Sequence, residues 1–291
     1  MNHAFLPRGL ARRALRFISP DRPRAVRTES DPETERARPA YEGARTYAFL
    51  TGCSRSGTTA LTQLVNRHPD VAIGYERYRL LAQAGGLRPE LFEPDRFRDF
   101  REGDGSWKSY AGMEKRAHVL NKAHAARVVG DKIPHLVDAL DQLDVFPDAR
   151  VIFIVREPFG VAKSFDARAR SQQGGWPADR DFQAAVQDFN RAMANILAYA
   201  RRGKPYLLLE YDGLFLRREG LREIWEFLGV DPAALPDLED IFGRASGMAE
   251  ANRSASIARE VSLNVDFGAW RQVLSLDRMP NRGEIMEETA S

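Results

Sequence analysis

The sequence predicts an α/β fold in which helices flank a central parallel sheet in three layers. Three observations predict it. Tyr47-Ala48-Phe49-Leu50 and Val151-Ile152-Phe153-Ile154-Val155 are uninterrupted apolar runs, the pattern of strands buried on both faces. Between the first run and a helical pattern, with apolar residues at 60, 61, 64 and 65, lies a loop bounded by Gly52 and Gly57. A long amphipathic stretch, Phe182 to Arg202, puts Phe182, Val186, Phe189, Met193, Ile196 and Leu197 on one side, as a helix packed on such a sheet does.

The chain has 291 residues, 43% of them apolar, enough for one large α/β core. Its formal net charge of +2 argues against wholesale nucleic-acid binding. Charge is uneven, however. Residues 1–45 hold ten arginines against six acidic residues, with five prolines and few large apolar residues after Ile18. This segment reads as disordered or loosely packed, and the folded domain is expected to span residues 46–291. Within the segment, Leu10 to Ile18 suits a short basic amphipathic helix touching an anionic membrane surface; the plainer reading is a solvated tail. A presequence of the mitochondrial type also fits its composition. No run of 18 apolar residues and no apolar signal core occurs, so a cytoplasmic location is expected.

The loop Thr51-Gly52-Cys53-Ser54-Arg55-Ser56-Gly57-Thr58-Thr59 carries the first chemical signal. A strand, a glycine-bounded turn and a helix start aim backbone N–H groups and the positive end of a helix dipole at one spot, which suits a phosphate. The spacing is that of a P-loop, but Thr58 stands where nucleoside-triphosphate enzymes place a lysine. Arg55 supplies the cation instead. Cys53 is the one cysteine, so an intramolecular disulfide is excluded; small size alone explains it.

His68-Pro69 stops the first helix, and Val71-Ala72-Ile73-Gly74 makes a short second strand, followed by Glu76 where open α/β sheets place their sites. Residues 85–125 are rich in glycine, proline and aromatics. They read as an irregular insertion forming the acceptor pocket and part of a lid, or as a structural insertion without that contact. Next comes Gly130-Asp131-Lys132-Ile133-Pro134, with Lys132 at a strand end or helix N-terminus. Pro134 is expected to open a helix with Leu136, Val137, Leu140 and Leu143 on one face.

The run 151–155 ends in Arg156, where a P-loop enzyme might place an acidic magnesium partner, and leads into a helix with Ser164 and Arg168. An arginine at the carboxyl end of a strand reads as an anion ligand. Two anion places and no metal ligand follow; the five histidines lack ligand spacing, so no metal is expected. Tyr206 to Tyr211 makes another buried strand. Leu221, Ile224, Trp225 and Leu228 give the last clear helix face, closed by Gly229.

The loop 53–59 resembles the 5′-phosphosulfate loop of sulfotransferases, and Val151 to Ser164 resembles their 3′-phosphate motif. The pattern Arg55 to Thr59, then His68-Pro69-Asp70, then Glu76, is similar to the protein-tyrosine and related Golgi-type and bacterial members. The resemblance covers roughly residues 46–275. It implies 3′-phosphoadenosine 5′-phosphosulfate (PAPS) as co-substrate, its bisphosphate PAP as product, and a hydroxyl acceptor: carbohydrate, lipid, small alcohol, phenol or tyrosine. It implies Glu76 as base, with Arg55 and Lys132 as catalytic cations. Arg55, Ser56, Gly57, Thr58 and Thr59 would hold the 5′-phosphate, and Arg156, Ser164 and Arg168 the 3′-phosphate. Tyr211 would lie near the nucleotide, although Tyr211-Asp212-Gly213-Leu214 departs from the family's Tyr-Glu-Asp-Leu. Arg253, Arg259 and Trp270-Arg271 are the candidates for closing over the 3′-phosphate. A histidine base (His118, His124 or His135) is the alternative to Glu76. A non-catalytic nucleotide-binding module and a P-loop kinase are the alternatives to the whole reading.

Overall fold

The computed structural model describes residues 38–105, 114–172, 175–235, 238–246 and 255–280. The proposed helix 10–18 and Arg253 lie outside them. Five parallel strands form one sheet: β1 Thr46–Thr51, β2 Val71–Tyr75, β3 Val128–Lys132, β4 Ala149–Val155 and β5 Tyr206–Glu210. Their spatial order is β2-β3-β1-β4-β5, so β1 and β4, the two apolar runs, are interior. The helices are α1 Thr58–Val65, α2 Arg79–Gln83, α3 Pro94–Arg98, α4 Glu114–Lys122, α5 Pro158–Ser171 and α6 Phe182–Ala200. They continue with α7 Tyr211–Arg217, α8 Leu221–Leu228, α9 Glu239–Ser246, α10 Ala255–Asn264 and α11 Phe267–Leu274.

Alternation along the strands sorts the core into two clusters. Phe49, Val151, Phe153 and Val155 face Val161 and Phe165 of α5, Phe189 and Ile196 of α6, Val261 of α10 and Trp270 of α11. Ala48, Leu50, Ile152 and Ile154 face Leu61 and Leu64 of α1, Leu214 of α7, Ile224 and Trp225 of α8 and Ile241 of α9. This is the three-layer arrangement the apolar runs predict. Full burial of each such large side chain contributes about 1.5–3 kcal/mol. Within the sheet, Gly130 admits no side chain: a Cβ there would lie 1.7 Å from the carbonyl oxygen of Ala48 on the neighbouring strand.

The helix expected from Pro134 is instead two 3₁₀ segments, Pro134–Asp138 and Leu140–Val145. The hydroxyl of Thr51 donates to the Pro134 carbonyl at 2.9 Å, an oxygen that an α-helix would use internally. Leu136, Val137, Leu140 and Leu143 are buried all the same. The α5 helix begins as the sequence predicts: Pro158 occupies its first turn and the Glu157 carboxylate caps the Phe159 amide at 3.0 Å.

Two regions read as loose are anchored in their described parts. In the 85–125 stretch, Phe92 and Phe97 are buried, and Phe92 meets Phe49 edge-on at 5.6 Å. Before β1, Arg38 pairs with Asp70 at 2.5 Å, and Arg45 donates to the carbonyls of Ala123 and His124 at 3.2 Å. Among the described residues no helix is long and apolar enough to cross a membrane.

Candidate active site

The chain leaves β1 toward β2 on one side and β4 toward β5 on the other, with α1 and α5 on opposite sheet faces. The crevice at the carboxyl ends of β1 and β4 is therefore the topological switch point, where such sheets bind ligands. The loop 52–57 and Arg156 both stand there. Gly52 has φ +144, and a Cβ would lie 2.4 Å from the Ile154 carbonyl oxygen; Gly57 has φ +102, and a Cβ would lie 2.2 Å from the Tyr211 ring. Both glycines are required by close approach as well as by backbone conformation. Gly57 is the N-cap of α1 and supplies no side-chain acceptor, so the first amides of the helix have no capping side chain.

Three arginines converge on this crevice. Arg55 donates from Nε to Ser164 Oγ on α5 at 2.9 Å, joining the loop after β1 to the helix after β4. Burial, then the neighbouring charges of Arg168 and Arg156, lower its pKa. Arg156 sits over Tyr211, its guanidinium carbon 4.4 Å from the ring centroid. Its Nε and the Ser56 hydroxyl are buried without a hydrogen-bond partner. Buried donors left open beside clustered like charges fit an anion with several oxygens, because an unmet buried donor costs about 1–3 kcal/mol.

Glu76 follows β2 directly. Its amide donates to the Lys132 carbonyl at 2.9 Å, and its Oε1 accepts from Lys132 Nζ at 2.8 Å. Lys132 Nζ also lies 3.5 Å from Thr59 Oγ1, at the start of α1. The carboxylate, the ammonium and the phosphate loop thus form one chain of contacts. Burial raises the Glu76 pKa, but the charge and hydrogen bond of Lys132, with smaller pulls from Arg79 and His135, leave it below the usual carboxylate value. Four non-glycine residues among those described have positive φ. Gln172 and Arg218 are helix C-caps; the other two are Arg55 at +69° and Glu76 at +61°. Left-handed backbone at a side chain costs about 1–3 kcal/mol and persists where surroundings enforce it.

The structure brings together Arg55, Ser56, Gly57, Thr58, Arg156, Ser164, Arg168 and Tyr211 around the crevice, with Thr59, Lys132 and Glu76 beside it. Arg79 Nε stands 4.0 Å from Glu76, a weak second partner. Cys53 is buried and its thiol is pushed far up by burial, which disfavours the thiolate. His124 precedes β3 and lies at the amino edge of the sheet, opposite the crevice, where its nitrogens face the carbonyls of Asn121 and Arg38. His135 follows β3 at the carboxyl edge, partly buried. Trp270 packs on Phe189 at 5.5 Å in the core.

Sequence reasoning missed three residues behind the site: Arg77, Asp104 and Asp131. Asp131 carried a signal, since alternation puts it on the face opposite Lys132. Arg77 carried none, because an arginine in a polar stretch reads as surface. It is fully buried, pairs with Asp104 at 2.7 Å and stacks between Tyr78 and Phe100.

Comparison with known proteins identifies the family. The family model described as "Sulfotransferase family" matches residues 48–234. Protein-tyrosine sulfotransferase A of Caenorhabditis elegans is 23% identical over 245 residues, covering 77% of this chain; the chain spans 61% of that relative's length. Among solved structures, the sulfotransferase domain of the Synechococcus PCC 7002 olefin synthase aligns with 87% of this chain and 98% of its own, at 18% identity and a TM-score of 0.42. Mouse sulfotransferase SULT7A1, solved in complex with PAP, aligns with 88% of this chain and 86% of its own, at 16% identity and a TM-score of 0.37. The family model runs from the first strand past the last helix that borders the crevice, through all of the residues placed there, and the chain belongs to the sulfotransferase family.

Proposed function

We propose that this protein transfers a sulfuryl group from PAPS to a hydroxyl acceptor, with Glu76 as general base. The observation that carries the reading is the pair Glu76 Oε1–Lys132 Nζ at 2.8 Å, tied through Thr59 to a phosphate loop rich in arginine. It offers a proton acceptor and a cation at the edge of an anion cradle. The donor supplies the sulfuryl group and carries negative charge away on its 5′-phosphate.

In this reading Ser56, Gly57, Thr58 and Thr59, with the open amides of α1, hold the 5′-phosphate. Arg156, Ser164 and Arg168 hold the 3′-phosphate, with Tyr211 as the platform under Arg156 and against Gly57. Arg55, bonded to Ser164, spans both places. As the acceptor oxygen bonds to sulfur and the sulfur–oxygen bridge to phosphate breaks, the acceptor proton passes to Glu76. Charge developing on the 5′-phosphate is met by Lys132 and Arg55. Lys132 therefore has a second task. While it pairs with Glu76 it keeps that carboxylate a weak base; as it turns toward the donor's oxygens, Glu76 becomes a stronger one.

The acceptor stays within the class of hydroxyl compounds: sugar, lipid, small alcohol, phenol or a peptide tyrosine, the last suggested by the curated relative's name. The described part of 85–125 is the segment we assign to holding it. A P-loop kinase fits less well, with Thr58 in place of the phosphate-reaching lysine and Arg156 at the end of β4.

The test is single-turnover transfer from labelled PAPS across an acceptor panel, for the wild type and Glu76→Gln. Glutamine keeps size but takes no proton. The expected loss is about 10²–10⁴-fold in rate, with PAP affinity unchanged. Binding without turnover in the wild type would favour the non-catalytic module. A full rate in Glu76→Gln, together with a large loss in His135→Ala, would move the base to His135.

A further inference from the structure

Strand β3 points its last two side chains to opposite faces. Lys132 goes to Glu76. Asp131 goes under the turn that follows Glu76, where its Oδ2 accepts the Tyr78 amide at 2.8 Å and the Arg77 amide is close enough to act on its charge. Asp131 is fully buried and its Oδ1 has no hydrogen-bond partner. A buried carboxylate held by one backbone-amide hydrogen bond and no cation is an expensive feature for a core. The cost has an evident return in geometry. The two amides belong to the residues directly after Glu76, whose φ is +61. Successive amides converging on an anion form a nest, and a left-handed residue is what such a turn demands.

Arg77 secures the same turn from the other side. Its guanidinium donates to Asp104 at 2.7 Å and to the carbonyls of Phe97 at 3.1 Å and Asp99 at 2.7 Å. Arg96 also bonds Asp104. Gly105 packs so closely that a Cβ would lie 2.7 Å from the Arg77 carbonyl oxygen and 2.9 Å from that of Glu76. The turn is thus clamped between Asp131 below and the 96–105 segment above.

We propose that Asp131 is a positioning residue that fixes the Glu76 carboxylate against Lys132 by holding the Tyr78 amide and, with it, the turn at Arg77. This rests on the assignment of Glu76 as base. The groups facing Asp131 are the amides of residues 77 and 78 on the turn and, within electrostatic reach, Lys132 and Glu76. Burial raises its pKa to about 7, the neighbouring amides of Tyr78 and Arg77 working against that rise. Protonation weakens the carboxylate as an acceptor, so the grip on the turn loosens as pH falls through that value.

The experiment compares wild type, Asp131→Asn, Gly74→Ala and Glu76→Gln. Gly74→Ala leaves the carboxylate's chemistry intact but sets a Cβ 2.7 Å from Asp131 Oδ1 and 2.9 Å from the Arg77 Cβ, crowding the same turn. Four quantities are read: kcat, KM for PAPS, the pH–rate profile, and hydrogen exchange of the amides of Arg77 and Tyr78. The last needs no acceptor. Asp131→Asn should lose at least about tenfold in kcat with KM for PAPS within about twofold. Its two amides should exchange faster, and it should lack an inflection near pH 7 that the wild type shows. Gly74→Ala should show the same split of kcat from KM and keep the inflection, so it serves if Asp131→Asn does not fold. Unchanged kcat and amide exchange in the folded variants, with Glu76→Gln slow, would overturn the positioning role alone. A fast Glu76→Gln would overturn the base assignment instead. Equal losses in kcat and PAPS binding would mark Asp131 as merely structural.

Discussion

At Arg156 a guanidinium sits over the Tyr211 ring with its Nε buried and unanswered. Contact with the ring restrains the guanidinium before any ligand arrives. A charged hydrogen bond of this kind contributes about 1.5–3 kcal/mol. Arg156→Ala should therefore cut PAP affinity by roughly tenfold to a hundredfold and erase most of the preference for PAP over AMP. Calorimetry with both nucleotides reads this directly; an unchanged preference would move the 3′-phosphate elsewhere. Of the site residues, those on the phosphate loop and after β4 were legible because glycine spacing and a cation at a strand end have direct chemical meaning. Glu76 and Lys132 were placed in sequence through family pattern, and the structure supplies their 2.8 Å contact. Arg77 and Asp104 were not legible, since their pairing joins residues 27 apart through a segment with no periodic pattern.

At the scale of elements, the turn between β1 and α1 depends on what lies behind it. Gly57 sits against the aromatic ring that opens α7, the helix after β5. An added methyl meets both the ring and a left-handed backbone, and each is costly. Gly57→Ala should lower stability by about 1–3 kcal/mol and weaken PAP binding, while the sheet persists by circular dichroism. Equal melting and equal affinity would show that the ring yields freely. The strands and long helices were legible from apolar runs and from a period near 3.6. The segment after β3 was not: its apolar spacing suits an α-helix, but Thr51 captures the first carbonyl and the chain settles into 3₁₀ turns. A hydroxyl arriving from another strand leaves no trace in local periodicity.

For the whole molecule, the buried carboxylate of Asp131 sets a pH dependence of stability. Its folded pKa, about 7, lies above the ordinary value of 3.8. Between those values the folded state binds the proton and the unfolded chain does not, so stability falls as pH rises through this window. Asp131→Asn removes the linkage. The variant's stability relative to wild type should climb from pH 4 to pH 7 and level off above, measured by chemical unfolding at each pH. A constant difference would mean that Asp131 is ionised throughout. His68 acts in the opposite sense. Burial lowers its pKa, so the neutral ring is favoured and stability is lost as pH falls below the unfolded value of 6.5.

Strand β3 also governs which genetic changes the domain can absorb. Its pairing sets Gly74 opposite Asp131 and Tyr75 opposite Lys132. Because side chains alternate, gaining or losing one residue within β3 would exchange the two faces at a stroke. The ammonium would enter the core, the carboxylate would meet Glu76, and Gly130 would no longer lie under the Ala48 carbonyl. No single substitution repairs that. A length change near Gly85, where a Cβ would meet nothing within 4 Å, carries no such penalty. Divergence in length is thus channelled toward the segment assigned to the acceptor, while the strand carrying Lys132 keeps its residue count.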